Sequence, residues 1–187
     1  NAIRRAELAT ALGYWAASYA ELPWDGSVAP EASVADALAL VATRRPAAEP
    51  PQGNIVTGLA TLAQAAAFRP VAGWVDVGDP LATLGEITVA SAELYLRHPG
   101  YRIHFAHAVT GPSALRLLAP HLDEGTLREA ARRAWQVAAG LWAVYGDPSA
   151  PAAEPGPPLE RAELVAAAVE NGAAHAIKLT EACLREA

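Results

Sequence analysis

The spacing of the apolar residues is the feature that most constrains how this chain can fold. In residues 2–22 large apolar side chains recur at alternating steps of four and three residues, namely at Leu8, Leu12, Trp15, Tyr19 and Leu22. This spacing places them on one face of an α-helix, which repeats every 3.6 residues. Similar spacing recurs in residues 31–44 and 54–66, after Asp79-Pro80 and after Asp123, with no convincing pair of strands between them. The sequence therefore predicts an all-α, bundle-like fold of about six to eight helices without a substantial sheet.

Proline and glycine mark the expected breaks between these helices. Gly111-Pro112 is predicted to end a helix over residues 101–109 and to start a second one, because proline cannot donate a helical hydrogen bond. Residues 147–158 contain five prolines and predict an internal linker without helix or strand. One long helix is expected from about Glu160 to the end of the chain. We expect residues 1–187 to form a single helical domain.

Charge and cysteine content exclude several partners. The formal net charge is −6 and the sequence shows no basic stripe, so nucleic acid is a poor partner. The sequence contains no polybasic cluster that would predict contact with a membrane surface. It also contains no long uninterrupted apolar run that would predict a membrane span. Cys183 is the only cysteine, so an internal disulfide is impossible and we expect a reducing, cytoplasmic location.

The beginning of the sequence predicts that it is a piece of something longer. The chain contains no methionine, and it starts at Asn1 inside what we interpret as a helix, without a capping residue before Arg4-Arg5. We therefore expect this to be the C-terminal part of a longer protein.

The single lysine is the most informative candidate for chemistry. Of the 14 Lys and Arg residues, only Lys178 is a lysine, and it lies three residues after His175. A lysine amine can lose its proton or carry a carbonyl-derived group, whereas a guanidinium cannot. The spacing places both side chains on one helix face. Lys178 could react with carbon dioxide to form a carbamate, an anionic oxygen ligand that would bind a metal ion together with His175.

Simpler interpretations of this pair remain open. Position 175 continues an apolar face, so His175 is expected to be buried, where a hydrogen-bonded core histidine is the common case. Lys178 could be an ordinary surface lysine, or it could be neutralised by Glu181.

A second candidate pair consists of two histidines, His104 and His107, which are also three residues apart. His107 precedes the predicted break, where functional residues often lie, and His104 could point away or serve as a supporting hydrogen-bond donor. Among the five tryptophans, Trp15, Trp135 and Trp142 are expected to pack in the core. Trp24 and Trp74 lie in predicted loops and are candidates for binding a flat aromatic ligand; these last two are our predicted substrate-binding residues.

Two motifs resemble the questin oxidase-like proteins. They are His107-Ala-Val-Thr-Gly-Pro-Ser-Ala-Leu-Arg116 and His175-Ala-Ile-Lys-Leu-Thr-Glu-Ala-Cys183, with Pro120-His-Leu and Ala134-Trp-Gln between them. Residues 4–19 resemble a segment near the start of the same region of that family. The resemblance extends over essentially the whole chain, as the C-terminal portion of a family member.

The resemblance implies an oxygenase. The family's named activity is the oxidative opening of anthraquinone-type polyketides, described as Baeyer–Villiger-like and NADPH-dependent, and some relatives look like non-haem iron dioxygenases. On the matching positions it implies His107, His175 and Lys178 as catalytic residues and metal ligands, with Fe2+ as the metal and dioxygen and an aromatic molecule as substrates. The family's further histidines lie N-terminal to this sequence, so we expect an N-terminal segment or chain to complete the site.

Rival functions stay open at this point. One is a metal-independent, NADPH-dependent oxidase in which a histidine deprotonates a phenol, although the chain carries no recognisable dinucleotide fingerprint. Another is a helical ligand-binding module without enzymatic activity, and a third is a piece that is inert alone.

Overall fold

The structure, a computed structural model, describes residues 2–30, 33–45, 49–154 and 156–186. Within those ranges the chain forms eight α-helices and no sheet, which confirms the predicted all-α class. The α-helices are α1 (Ala2–Ser18), α2 (Val34–Thr43), α3 (Ile55–Ala60), α4 (Pro80–Arg97), α5 (Arg102–Leu118), α6 (Glu124–Tyr145), α7 (Arg161–Asn171) and α8 (Ala174–Glu186). Short 3₁₀ helices are Thr61–Gln64, Ala66–Gly73, Pro99–Tyr101 and Ala119–His121.

Three of the helices begin at capping residues. The side chains of Asn54, Asp79 and Asp123 accept hydrogen bonds from backbone N–H groups of the first turns of α3, α4 and α6. These N–H groups have no partner within the helix, so a side-chain oxygen at this position stabilises the start of the helix by about 1 kcal/mol. Gly146 ends α6, as predicted.

Helix α6 is the centre of the packing. It contacts α2, α3, α4, α5 and the 3₁₀ helix Ala66–Gly73, and most of its second half is buried. Four of its side chains also donate hydrogen bonds to backbone carbonyls of distant N-terminal segments. These bonds run from Trp135 to Val71 (2.7 Å), from Gln136 to Pro23 (3.0 Å), from Trp142 to Leu38 (3.0 Å) and from Tyr145 to Asn54 (3.3 Å). The burial of Trp135 and Trp142 confirms the core packing predicted for them.

The predicted break at Gly111-Pro112 is wrong. Helix α5 continues through Pro112, which is buried inside it. A proline within a helix costs about 3 kcal/mol, since its ring displaces one hydrogen bond. The packing of α5 against α4, α6 and α8 on several sides compensates for that cost.

Other predicted helices are shorter in the structure. The helix expected over residues 54–66 is only α3, followed by 3₁₀ turns, and the first helix ends at Ser18 rather than at residue 22. The single final helix is instead two, because Gly172 adopts φ +69°, a left-handed conformation that ends α7 and favours glycine. Helix α8 therefore starts as a separate helix, and α7 packs against it.

The proline-rich segment carries no helix or strand over residues 147–154 and 156–158. Its role as a linker within a single domain stays a prediction. Parts of several expected elements lie outside the described residues: position 1 of the first helix, 31 and 32 of the predicted second helix, 46–48 of the loop after it, 155 of the proline-rich segment and 187 of the final helix.

Helix length and apolarity decide whether a helix could span a membrane. In the described ranges, no single helix is both long and apolar enough to cross a bilayer. The segments Ile55–Gln64 and Ala66–Gly73 together meet the requirement by length and composition, but they are bent by 106° relative to each other.

We expect Trp135→Ala to lower the free energy of unfolding by about 3–5 kcal/mol, because it leaves a cavity at a fully buried position and removes a hydrogen bond to Val71. Urea unfolding followed by circular dichroism measures the change. Val89→Ala, at an exposed position of α4, is the control and should stay within about 0.5 kcal/mol of the unmodified chain. Equal effects of the two substitutions would contradict the central role of α6.

Candidate functional site

The docking of α8 on α5 builds the candidate site. The Arg185 guanidinium donates to the Ser113 carbonyl oxygen at 2.6 Å, and Arg116 forms an ion pair with Glu186 at 3.1 Å. Both contacts join the C-terminal half of α8 to the C-terminal half of α5, and Ala182 is buried between them and the body. Because the two helices are held together there, the N-terminal turn of α8 lies beside the middle of α5.

This docking brings His107 and His175 together. Their ring centres are 5.4 Å apart with an angle of 73° between the planes, an edge-to-face contact. Both side chains are solvent-exposed, so the expectation that His175 is buried is wrong. His175 lies in the first turn of α8, whereas Ala182, further along the same helix, is buried.

Lys178 lies one turn after His175 and is exposed. Glu181, its possible partner in the sequence, instead forms an ion pair with Arg185. Among the described residues, Lys178 forms no salt bridge. The lysine ammonium is nevertheless close enough to His107 to affect its proton affinity.

The pKa of His107 is lowered below its usual value. Partial burial of the ring is the largest cause, followed by the positive charges of His175, Lys178 and His104. Each of these disfavours the imidazolium, so His107 is neutral over a wider pH range than an ordinary histidine. A neutral imidazole has one free nitrogen lone pair, which can bind a metal ion or accept a proton.

His104 points away from this pair and packs on aromatic rings. Its ring centre is 4.1 Å from that of Tyr145 and 5.5 Å from that of Tyr101. Its Nδ1 atom is buried without a hydrogen-bond partner, and burial lowers the pKa of this side chain. The alternative that His104 points the other way therefore agrees with the structure.

His98 is a structural residue. It is 5% exposed at the C-terminal end of α4, and its Nε2 accepts a hydrogen bond from the backbone N–H of Asp147 at 2.8 Å. Its Nδ1 lies 2.8 Å from the carbonyl oxygen of Leu94 and must donate to it, since the other nitrogen accepts.

A large cleft opens beside His107. It has a volume of about 1150 Å³ and lies between α5, α6 and the segment from Trp15 to Leu22 at the end of α1. Its polar lining includes Glu129, Arg133 and Gln136 of α6. Pockets for small ligands are commonly about 300–1,000 Å³, so this cleft has room for an aromatic molecule of several rings.

The aromatic side chains in the cleft are not those that the sequence predicts. Trp15 and Tyr19 line it, in edge-to-face contact with ring centres 6.2 Å apart. Trp15 is 62% exposed, so its predicted core packing is wrong. The apolar stripe of α1 identified Trp15 and Tyr19, but an amphipathic stripe does not reveal whether anything covers it.

The predicted substrate-binding residues, Trp24 and Trp74, lie elsewhere. Trp24 stacks under the guanidinium groups of Arg132 and Arg133, at 5.2 and 5.7 Å from its ring centre. Trp74 is buried in the core. Neither is among the side chains that line the cleft, and their part in substrate binding stays a prediction.

The residues present fit part of a metal site. Two imidazoles this close can each direct a nitrogen at one ion, for which metal–nitrogen distances are about 2.0–2.1 Å. A protonated lysine cannot bind a metal, so Lys178 becomes a ligand only as the free amine or as a carbamate. Among the described residues, no group of three His, Cys, Asp or Glu side chains is arranged to hold a metal ion.

The fold and the site define a class rather than a family: an all-α protein with an exposed histidine pair at the edge of a large cleft. Comparison with protein-family models, with curated proteins and with solved structures finds no match to the chain. The resemblance to the questin oxidase-like proteins therefore stays a prediction.

We expect the His107 imidazole to titrate below the usual histidine pKa of about 6.5 in NMR spectra recorded as a function of pH. Lys178→Gln should raise the pKa of His107 because it removes a neighbouring positive charge. As the pH falls below about 6.5, His107 binds a proton in the unfolded chain before it does so in the folded one. The free energy of unfolding therefore decreases as the pH falls, until His107 of the folded form is also protonated.

The matched control for this titration is Arg128→Gln, which removes a positive charge that is not among those lowering the pKa of His107. The pKa of His107 should be unchanged in this variant. A His107 titration at or above the ordinary value would contradict the described surroundings of the ring.

Proposed function

We propose that this protein is an oxygenase that inserts oxygen into an aromatic, polyketide-like substrate bound in the cleft beside His107. A non-haem metal ion, Fe2+ in our proposal, is held by His107, His175 and Lys178, the last as a carbamate. The observation that supports the proposal best is the contact between the His107 and His175 rings, 5.4 Å apart and contributed by two different helices at one edge of the cleft.

The chemistry of the side chains agrees with this assignment. A ligand histidine must be neutral, and the lowered pKa of His107 favours that form at neutral pH. Lys178 has no salt-bridge partner among the described residues, so carbamylation would break no ion pair. When bound, the metal ion would supply activation of dioxygen.

The cleft supplies the substrate-binding side of the proposal. Trp15 and Tyr19 offer faces and edges on which a flat ring system can stack. Arg133 is 36% exposed and can attract a phenolate or another anionic group, while Gln136 offers an amide near it. We place the protein in the cytoplasm. In this proposal NADPH is the electron donor, bound at a site outside this chain.

We expect the purified protein, loaded with Fe2+ without oxygen and then freed of excess metal, to retain close to one iron ion per chain by plasma mass spectrometry. His107→Ala and His175→Ala should each reduce metal affinity by a factor of about 10–100 or more, because each removes a nitrogen ligand. His121→Ala is the matched control and should retain the full metal content.

Lys178→Arg tests the third ligand, because arginine keeps the positive charge but cannot form a carbamate. With ¹³C-labelled bicarbonate, the unmodified chain should show a carbamate signal in its ¹³C NMR spectrum, and Lys178→Arg should lack that signal and lose metal. Absence of bound iron in the unmodified chain, or equal iron in all four variants, would contradict the metal site.

A second function is favoured by the lowered pKa of His107. A neutral imidazole at the edge of the cleft can act as a general base and remove the proton of a phenolic substrate without any metal. This candidate leaves Lys178 as a positive charge that stabilises the resulting phenolate.

The two candidates differ in their response to a chelator. If His107 is a base, we expect activity on a phenolic substrate to persist in EDTA and to fall by a factor of about 10²–10⁴ in His107→Ala. Oxygen uptake measured with a panel of hydroxylated anthraquinones checks this. Loss of activity in EDTA, with recovery on adding Fe2+, would reject the general-base candidate in favour of the metal.

A further inference from the structure

Helix α1 leaves its apolar stripe uncovered. Leu8, Leu12 and Trp15 are 59%, 49% and 62% exposed, and α1 takes part in none of the substantial helix pairings of the fold. The segment after it is firmly attached, since Pro23 accepts a hydrogen bond from Gln136 and Ala29 donates one to Gly73. The helix therefore projects from an anchored base.

A helix in this position needs a partner. At 17 residues, α1 is about 25 Å long, little more than the roughly 12–15 residues below which isolated helices are marginal in water. Most helical stability in proteins comes from packing of the apolar face, and among the described residues the stripe of α1 has no such packing.

The spacing of the stripe is that of a helix that binds in a groove. Leu8, Leu12 and Trp15 lie at positions i, i+4 and i+7, the usual anchors of this type of recognition. The cleft between α5 and α6 is a groove of about 1150 Å³, and Ala108, Leu115 and Val137 contribute apolar surface to it. Leu8 and Leu12 do not line the cleft of their own chain, because only the last turn of α1 reaches its edge.

The charges on the two surfaces are complementary. At 100° per residue, Arg4 and Arg5 lie on either side of the stripe, one turn before Leu8. The lining of the cleft includes three carboxylates, Glu21, Asp123 and Glu129. Glu129 already forms ion pairs with Arg133 at 2.7 Å and with Arg132 at 3.4 Å, so Glu21 and Asp123 are the carboxylates that attract an incoming positive charge. An incoming helix that carries two arginines is therefore attracted to the cleft.

We propose that two copies of this chain form a symmetric dimer in which α1 of each copy lies across the cleft of the other. Leu8 and Leu12 cover the mouth of the partner's cleft, and Arg4 and Arg5 lie near its carboxylates. A two-fold arrangement satisfies both copies at once, since each provides one helix and one cleft. The cleft then becomes enclosed, with a wall from each copy. This goes beyond the proposed function and does not depend on it.

The test is the molar mass in solution, by light scattering and sedimentation over a range of concentrations. We expect a mass twice the 19.4 kDa of one chain. The double variant Leu8→Glu/Leu12→Glu should raise the dimer dissociation constant by a factor of about 100 or more, because each interface loses apolar contacts and gains buried charge. Val165→Glu/Val169→Glu, on exposed apolar positions of α7, is the matched control and should remain dimeric.

A charge exchange tests the orientation of the helix. Arg4→Glu/Arg5→Glu alone should weaken the dimer, and mixing it with a Glu21→Arg/Glu129→Arg chain should restore a heterodimer. A monomeric unmodified chain at all concentrations would overturn the proposal. So would a dimer that survives Leu8→Glu/Leu12→Glu but is lost in the α7 control. Circular dichroism of each variant verifies that its other helices are folded, and metal binding by a monomeric chain would leave the proposed function standing.

Discussion

The bonding of α6 to the N-terminal half of the chain is the interaction on which the rest of the structure depends. Trp135, Gln136, Trp142 and Tyr145 each donate a hydrogen bond to a carbonyl oxygen in a different upstream segment. Those carbonyls belong to the 3₁₀ helix Ala66–Gly73, to connecting backbone and to helix α2. The carbonyls of Val71 and Asn54 also accept a backbone N–H, so the bonds from α6 add a second donor to them. One helix thus both supplies the apolar core and fixes the position of the backbone that lies against it.

The candidate site follows from this arrangement. The hydrogen bond from Gln136 to Pro23 holds the segment after α1 against α6, and this contact places Tyr19 and Trp15 at the edge of the cleft. On the other side, the ion pair of Arg116 with Glu186 and the bond from Arg185 to Ser113 hold α8 against α5. His107 lies where the two arrangements meet: it lines the cleft and contacts His175.

Residue chemistry selected part of this site in advance. The spacing of His175 with Lys178 and of His104 with His107 marked these residues as candidates, and the family resemblance selected His107, His175 and Lys178. The structure brings the two histidines of that set together from separate helices. Residue type and spacing could not show that His104 packs on Tyr145 and points away from His107. Two side chains three residues apart differ in direction by only about 60° around a helix. Trp24 and Trp74, the predicted substrate-binding residues, lie outside the cleft, whereas Trp15, expected in the core, lies in it.

The sequence alone determined the helical class, most helix starts and the buried stripe of α6, because apolar periodicity and capping residues act over only a few positions. Tertiary structure decided the rest. Packing on several sides keeps α5 continuous through Pro112, although the local preference is for a break. The left-handed Gly172 separates α7 from α8, and the docking of α8 on α5 brings His175 beside His107. Whether the stripe of α1 finds a partner depends on surfaces distant in sequence. These outcomes depend on contacts between segments far apart in the chain, which no local pattern specifies.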